Sequence, residues 1–319
     1  MIDLVQIGED FIREQTDYPE LIAALRKAFA QQAIETPLRH HHQYPNPEAG
    51  VDSTLLLMPS WQAGKELGVK IITVSPENSR LQLPAIQGAY LYFDATTGSL
   101  RALIQAKSLT TKRTAAASAL ASSYLSRPDT ASLLMIGTGA LAPELIQAHA
   151  AVRPIQEVYI WGRSPEKAAR LSQQLSTTSL NCTPVKSLED YLGQVDIISC
   201  ATLSRTPLVL GEYLRQGQHI DLVGAYLPDS RESDDKCIQK SRIFLDTYEG
   251  GLKESGDIVI PLKSGLLQAA DIQADLFELA SGKKAGRQSV NEITIFKSVG
   301  HALEDLAAAG YYYQKFQDA

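Results

Sequence analysis

The sequence predicts an α/β fold of two domains, in which a doubly wound, mostly parallel sheet is inserted into a second, α+β domain. At 319 residues the chain is long for a single hydrophobic core. After about residue 130, short apolar strands alternate with helical spacers, as in a right-handed parallel sheet. The end of the chain returns to the style of the first third. We therefore expect the α+β domain at residues 1–115 plus 292–319 and the parallel sheet at residues 116–291.

The first third of the chain combines one amphipathic helix with several strands. Apolar side chains three and four positions apart predict a helix over residues 18–31, packed on a sheet. Segments 85–93 and 100–104 flank a turn-rich connector and predict a hairpin. Further apolar, β-branched segments bounded by proline or glycine are typical of strands: 36–42, 54–59 and 69–74.

Lys70 stands inside the last of these strand segments, among residues that should be buried. Local sequence leaves two interpretations open. Alternation turns Lys70 away from Val69 and Ile71, so it can lie on the wet face of an edge strand. If it is buried instead, its charge requires a partner.

Composition excludes several classes of function. A net charge of -6 argues against nucleic acid as the main partner, and no apolar run is long enough to cross a membrane. The start, Met1-Ile-Asp-Leu-Val5, lacks the features of a secretory signal, so we expect a cytoplasmic protein. Three scattered cysteines fit reduced thiols. We expect no metal site, because the consecutive histidines at 40–42 cannot all point to one ion.

An apolar strand at Ser132–Ile136 ends in a glycine turn, Gly137-Thr138-Gly139, and leads into a helix over residues 141–151. Gly137 permits a tight turn, and Gly139 lets the backbone approach a pyrophosphate. The helix start at Ala140-Leu141 offers free N–H groups and a partial positive charge. The pattern predicts a dinucleotide-binding unit of the Rossmann type, with cofactor contacts from Gly137 to Leu141.

The residues after the second predicted strand, 157–161, favour a phosphorylated dinucleotide. An NAD-binding unit usually carries Asp or Glu at this point, to accept hydrogen bonds from the adenine ribose. Here the residues are Gly162-Arg163-Ser164, with Lys167 shortly after. Arg163 can pair with a 2′-phosphate, and Ser164 can donate to it. We predict that NADPH is preferred and that NADH is possible; the alternative is a solvated turn.

Topology places two further residues near the reactive end of the cofactor. Predicted strands at 195–201 and 219–223 lead to Thr202 and Tyr226, and ligands of parallel sheets gather at the carboxyl ends of the strands. A helix over residues 109–121 would carry Arg113 in its first turn. The stretch Gly256-Asp257 is interpreted as a surface turn.

Motifs spread over nearly the whole chain resemble the ornithine cyclodeaminase/μ-crystallin family. They are Leu57-Met-Pro59, Gly68-Val-Lys70, Pro84, Phe93-Asp94-Ala95 with Thr97-Gly98, Arg113-Thr-Ala-Ala-Ala-Ser118, Gly137-Thr-Gly139 and Phe296-Lys-Ser-Val-Gly300. The resemblance implies an N-terminal domain that takes in the C-terminal segment, binds substrate and forms a homodimer, with a Rossmann domain between.

The resemblance also implies roles for individual residues. The family's substrate-carboxylate residues fall on Arg39, Lys70 and Arg113, which favours function for Lys70 and makes Lys70 and Arg113 the catalytic candidates. A charge-assisted grip of this kind would fix the neighbouring carbon for hydride transfer. Tyr226 and Gly300 join the substrate set. The cofactor set gains three residues: Thr114, Thr202 and Ser298.

One departure separates this chain from true ornithine cyclodeaminases. Those enzymes place an aspartate two residues after a Val-Gly pair, where it acts on the substrate amine, and this chain has Tyr226 there. They also usually carry an acid after the second Rossmann strand, where this chain has Arg163. Gly224-Ala-Tyr226, followed by Pro228-Asp229 and Arg231-Glu232, looks more like the family's ketimine and Δ1-pyrroline-2-carboxylate reductases.

We therefore predict an NAD(P)H-dependent reductase of cyclic imino acids. Δ1-Pyrroline-2-carboxylate is the first substrate and Δ1-piperideine-2-carboxylate the second, giving L-proline or L-pipecolate by hydride transfer to C2. Solvent or Lys70 would supply the proton. Rival activities are ornithine cyclodeamination and an alanine-dehydrogenase-like reaction. A rival of another class is a non-catalytic, crystallin-like NADP(H)-binding protein, against which the three intact cations Arg39, Lys70 and Arg113 weigh.

Overall fold

The computed structural model describes residues 4–319, apart from the side chain of Ser79. Met1 to Asp3, part of the N-terminal segment considered above, therefore lie outside the described residues. The strands are β1 Val5–Ile7, β2 Ile34–Glu35, β3 His40–Tyr44, β4 Ser53–Gln62, β5 Glu66–Val74, β6 Ile86–Asp94, β7 Leu100–Gln105, β8 Ser132–Ile136, β9 Glu157–Trp161, β10 Asn181–Pro184, β11 Ile197–Cys200, β12 His219–Leu222, β13 Ser241–Leu245, β14 Ile272–Asp275 and β15 Ile293–Lys297. The α-helices are α1 Glu9–Gln15, α2 Tyr18–Gln31, α3 Ala106–Leu125, α4 Leu141–Val152, α5 Pro165–Leu175, α6 Glu189–Leu192, α7 Asp235–Lys240, α8 Tyr248–Glu254, α9 Gly256–Ser264, α10 Leu276–Ala280 and α11 Ala302–Gln317.

The chain divides into two compact units. Unit 1 comprises the described residues up to Arg113 together with His301–Ala319, and unit 2 is Thr114–Gly300. Residues 292–300, expected in the first domain, belong to unit 2. The reason is strand pairing, because β15 lies between β12 and β13 in the larger sheet.

Unit 1 is built on a sheet of order β1-β7-β6-β5-β4-β2, with β3 also paired to β4. The predicted hairpin is present as β6 and β7, and the predicted helix over residues 18–31 is α2. The Asp17 side chain caps α2 by accepting from the N–H of Glu20 at 3.0 Å. Helix α11 packs against α2 and against β4, β5 and β6. It covers the sheet face to which Lys70 points, and β5 is an inner strand, so Lys70 does not lie on a wet edge.

Unit 2 is a doubly wound sheet of eight strands in the order β10-β9-β8-β11-β12-β15-β13-β14, and every pairing is parallel. This arrangement confirms the predicted α/β class. The central strands β11, β12 and β15 are buried along their whole length, and β8 is buried after its first residue, as expected for a sheet covered on both faces. The strand order reverses direction beside β8, where β11 lies on one side and β9 on the other. Parallel sheets bind ligands at such a switch point.

Two local predictions are corrected. Helix α3 begins at Ala106, and the Gln105 side chain accepts from the N–H of Ser108 at 2.7 Å, so Arg113 lies about two turns inside the helix rather than in its first turn. Asp257 is fully buried in the first turn of α9 and is not part of a surface turn. The apolar residues that follow Asp257 draw it into the core of unit 2.

The structure also answers three simple questions of composition. All three cysteines are buried and free of disulfide bonds. Within residues 4–319, no helix combines the length and apolarity needed to span a bilayer. The same residues contain no group of three or more His, Cys, Asp or Glu side chains arranged to hold a metal ion.

Candidate active site

A buried ion cluster in unit 1 joins two of the predicted cations through one carboxylate. The Lys70 ammonium lies 2.6 Å from Asp305 Oδ2, and Arg113 Nε lies 2.9 Å from Asp305 Oδ1. Arg113 Nη1 also lies 2.5 Å from Glu304 Oε2. The four side chains are each at most 6% exposed. Strand β5 and helices α3 and α11 thus bring together residues that are far apart in sequence.

Burial and charge act in opposite directions on these groups. Burial lowers the pKa of Lys70 to about 8, because the attraction of Asp305 only partly offsets desolvation and Arg113 repels the ammonium. Desolvation also disfavours the Arg113 cation, but Asp305 and Glu304 outweigh it and raise the pKa of Arg113. For Asp305, burial opposes ionisation, yet Arg113 and Lys70 hold its pKa below the ordinary value. Lys70, Arg113 and Asp305 are therefore mainly charged at neutral pH.

Arg39 is the third predicted cation and stands directly before β3. It is partly exposed, and its charge is close enough to lower the pKa of Lys70. Together the three cations and the two carboxylates, Glu304 and Asp305, leave one net positive charge. One unbalanced positive charge in a buried setting suits a single carboxylate ligand.

Tyr90 packs beside Lys70 on the unit 1 sheet. Strand pairing sets Tyr90 on β6 directly opposite Lys70 on β5, and Tyr90 is fully buried. Its hydroxyl lies over Gly68, where any Cβ would overlap the phenol. The glycine of the Gly68-Val-Lys70 motif thus has a packing explanation: it makes room for Tyr90.

In unit 2, a cavity of about 540 Å³ opens at the glycine turn. The predicted residues that line it are Gly137, Thr138, Gly139, Arg163, Ser164, Lys167 and Thr202. The three neighbouring strands β9, β8 and β11 therefore bring the turn after β8, the turn after β9 and the loop after β11 to one place. A volume of this size is within the usual range of small-molecule and cofactor sites.

The glycine turn has the geometry that a dinucleotide requires. Gly137 has φ of +118°, and a Cβ there would lie 2.6 Å from the carbonyl oxygen of Ala201. Helix α4 follows at once, and no side chain caps its N-terminus at Ala140. Its first N–H groups, from Leu141 onward, can therefore receive a phosphate. On these observations a dinucleotide pyrophosphate fits the turn.

The far end of the cavity is positively charged. Arg163 and Lys167 are exposed there, and the Ser164 hydroxyl accepts from the N–H of Lys167 at 3.3 Å and donates to Glu166 at 2.7 Å. Ser164 is thus the N-cap of α5. Among the described residues that line the cavity, none is acidic.

The remaining predicted residues lie apart from this cavity lining. Tyr226 follows β12 and is 45% exposed. Ser298 and Gly300 follow β15, and Asp246 Oδ2 holds their turn by accepting from the N–H groups of Val299 and Gly300, each at 2.7 Å. Thr114 is buried on α3 as the first residue of unit 2.

Comparison with known proteins identifies the chain at the level of its family. The profile of the ornithine cyclodeaminase/mu-crystallin family matches residues 5–319. The chain belongs to the ornithine cyclodeaminase/mu-crystallin family. It is 38% identical to the Delta(1)-pyrroline-2-carboxylate reductase of Paracoccus denitrificans over 259 residues, 81% of this chain and 82% of that protein.

Solved structures of the family superpose on nearly the whole chain. The Thermococcus litoralis Delta(1)-pyrroline-2-carboxylate reductase in complex with NADH and L-proline is 32% identical, with a TM-score of 0.91 over 99% of this chain and 98% of that one. An archaeal alanine dehydrogenase dimer with bound NAD is 25% identical, with a TM-score of 0.89 over 99% and 97%. Both similarities confirm the predicted combination of family and fold.

Several buried acids of this chain were not predicted as functional residues from the sequence. Glu304 and Asp305 are two adjacent acids between Leu303 and Leu306, inside an apolar helical segment. That placement indicates buried ion pairs, because adjacent acids on a buried helix face need cationic partners. Asp246 had no comparable signal, since an acid at the end of a strand is usually solvated.

Proposed function

We propose that this protein reduces cyclic imino acids, Δ1-pyrroline-2-carboxylate first, to the corresponding L-amino acid with a nicotinamide dinucleotide. The observation that carries the proposal is the buried ion cluster of Lys70, Arg113, Glu304 and Asp305, completed by Arg39. It offers one net positive charge to a substrate with one permanent carboxylate. The Paracoccus and Thermococcus relatives are reductases of this substrate, and the second was solved with L-proline.

Each residue of the cluster has a distinct part in the proposed reaction. Lys70, Arg113 and Arg39 bind the substrate carboxylate. Asp305 holds Lys70 and Arg113 in place through its two oxygens. Reduced nicotinamide supplies the hydride that is added to C2. The fixed carboxylate orients C2, and such positioning accounts for much of the catalysis that a protein adds to hydride transfer. Lys70 is also able to provide the proton for the imine nitrogen, because its pKa of about 8 lies near the working pH.

An assay with a panel of possible substrates tests the proposed reaction directly. Purified protein is assayed with Δ1-pyrroline-2-carboxylate and Δ1-piperideine-2-carboxylate, each with NADPH and NADH, and with pyruvate plus ammonium and ornithine as comparisons. We expect kcat/KM for the five-membered imine to exceed that for pyruvate at least tenfold. Faster reduction of pyruvate would favour an alanine dehydrogenase, and rapid release of ammonia from ornithine would favour a cyclodeaminase. No turnover with any substrate would favour the non-catalytic binding protein.

We propose that NADPH is the preferred cofactor. Arg163 and Lys167 supply positive charge at the end of the cavity, and no described lining residue is acidic, so a 2′-phosphate has cationic partners there, although the carboxylate of Glu166 lies next to the lining residue Ser164. Relatives with bound NADH or NAD show that the family accepts the unphosphorylated cofactor as well.

Replacing Arg163 by Ala should lower the preference for NADPH. We expect the ratio of kcat/KM for NADPH to that for NADH to fall by roughly tenfold, since one charge-assisted bond to the phosphate is lost. Arg170→Ala is the matched control, because Arg170 is exposed on helix α5, which begins just after Arg163, but lies outside the cavity lining. An unchanged ratio in Arg163→Ala, or an equal fall in the control, would remove Arg163 from the phosphate site.

We further propose that two chains form a homodimer through the open face of the unit 1 sheet. The face opposite Lys70 carries partly exposed apolar side chains: Leu57, Val69, Ile71, Leu91 and Leu103. A contiguous apolar face of this kind is typical of a subunit interface. The archaeal relative was solved as a dimer. A molecular mass equal to that of a single chain, measured by sedimentation equilibrium, would contradict this assembly.

We also propose a cytoplasmic location. Its support is the state of the thiols, because Cys182, Cys200 and Cys237 are all buried without disulfide bonds. Fractionation that recovers the protein outside the cytoplasm would contradict the proposal.

A further inference from the structure

The carboxylate of Glu232 links the ends of two neighbouring strands in unit 2. Oε1 accepts from the N–H and the hydroxyl of Thr202, at 2.7 and 2.8 Å, just after β11. Oε2 accepts from the N–H groups of Gly224 and Ala225, at 2.8 and 3.2 Å, just after β12. Glu232 is fully buried, so one side chain satisfies four donors in two loops.

These donors lie beyond the end of the strand pairing, where the sheet offers them no acceptor. Between β11 and β12 the ladder ends where Val223 donates to the carbonyl oxygen of Cys200 at 2.8 Å. The N–H groups beyond that point have no neighbouring strand to bond, and leaving buried N–H groups unpaired would cost about 1–3 kcal/mol each. The Glu232 carboxylate therefore replaces the missing strand pairing.

The two loops approach each other so closely that the link leaves little freedom. A Cβ at Gly224 would overlap the backbone nitrogen and oxygen of Thr202. Thr202 lines the dinucleotide cavity, and Gly224 leads to Tyr226. Any change in the length or shape of the side chain at 232 would consequently displace the cavity wall at Thr202.

Glu232 is itself held by buried charges. Lys297, the last residue of β15, places its ammonium 3.9 Å from Glu232 Oε2 and 3.5 Å from Asp257 Oδ2. Asp257 Oδ1 accepts from the N–H groups of Glu232 and Ser233, both at 2.9 Å. Lys297, Glu232 and Asp257 are all fully buried. Such a group keeps its geometry only when every member is present.

We propose that Glu232 is a positioning residue for the nicotinamide half of the cofactor, which it serves by setting the spacing of the loops after β11 and β12. The proposal rests on the proposed use of a nicotinamide dinucleotide but not on the identity of the imine. The adenine half binds at the turns after β8 and β9, where Glu232 makes no hydrogen bond. A defect at Glu232 should therefore appear only when the ligand carries nicotinamide.

The test compares two ligands in Glu232→Gln. A glutamine has one acceptor oxygen, so its amide nitrogen must face either Thr202 or Gly224 and Ala225, all of which donate. We expect the dissociation constant of NADPH, measured by cofactor fluorescence or calorimetry, to rise at least tenfold. The dissociation constant of 2′-phospho-ADP-ribose, which lacks nicotinamide, should stay within twofold of the wild-type value. Equal weakening of both ligands, or no change in either, would overturn the proposal.

Two further variants keep the experiment decisive. Glu232→Asp retains the charge beside Lys297 but is one methylene shorter, so it should show the same selective loss even if Glu232→Gln does not fold. Glu212→Gln is the matched control, because Glu212 is an exposed carboxylate of unit 2 that pairs with Lys236 on the surface. Selective loss in the control would contradict a specific role for Glu232. Because no imine is used, failure here is distinguishable from failure of the proposed reaction.

Discussion

Replacing Lys70 by Met should lower kcat/KM for Δ1-pyrroline-2-carboxylate by roughly 10- to 150-fold, the equivalent of one charge-assisted hydrogen bond of 1.5–3 kcal/mol. Methionine keeps the length of the side chain but removes the charge. The variant should fold, because Asp305 keeps its bond to Arg113 and the chain no longer has to bury an ammonium. The measurement is steady-state kinetics with the imine varied at saturating cofactor.

Lys65→Met is the control for this substitution. Lys65 lies directly before the same strand, but its side chain is 62% exposed and is not bonded to Asp305. It should leave kcat/KM within about twofold of wild type, as is usual for surface changes. If Lys70→Met were as active as the control, Lys70 would be a structural cation only. The dissociation constant of NADPH should be unchanged in both variants, because neither Lys70 nor Lys65 lines the dinucleotide cavity.

Raising the pH from 8 to 10 should lower kcat/KM by up to about fiftyfold, because the protonated fraction of a group with a pKa of about 8 falls from about one half to about one hundredth. Burial lowers the pKa of Lys70 to about 8, so the side chain is a cation below that pH and neutral above it. Only the charged form of Lys70 can contribute an ionic bond to the substrate carboxylate. Activity is therefore present on the acid side of pH 8 and lost on the alkaline side.

Lys70→Arg separates this effect from the ionisation of the imine, which is common to both enzymes. An arginine stays protonated throughout the range, so the variant should keep only the part of the alkaline fall that comes from the imine, even if its overall activity is lower. The comparison is made from pH 6 to 10 with kcat/KM as the readout. Identical alkaline limbs in the wild type and in Lys70→Arg would show that another group controls the profile.

Local patterns were enough to predict much of the fold. The helix α2 was predicted with the bounds that the structure shows, because the spacing of its apolar residues is a local signal. The strand, glycine turn and helix around Gly137 were predicted for the same reason. The predicted residues Gly137, Arg163 and Thr202 were then found along one cavity, because parallel strands place their carboxyl ends at one edge.

Strand pairing could not be read in the same way. The strand β15 has the composition of either sheet, and only its partners β12 and β13 assign it to unit 2. Asp257 was misjudged for a similar reason, since its neighbourhood in sequence resembles a turn. Its burial depends on contacts with Glu232 and Ser233, which lie more than twenty residues away.

By itself, the sequence determined the family, the doubly wound sheet, the glycine turn and the cations for which we propose a carboxylate ligand, because periodicity, turn chemistry and residue type are properties of neighbouring residues. Only the tertiary structure determined the ionic partners and the degree of burial of those cations. It pairs Lys70 and Arg113 with Asp305, and it buries Glu232 between two loops. Desolvation and ion pairing depend on distances across the fold, so the chemistry of a buried charge is decided by residues remote from it in the chain.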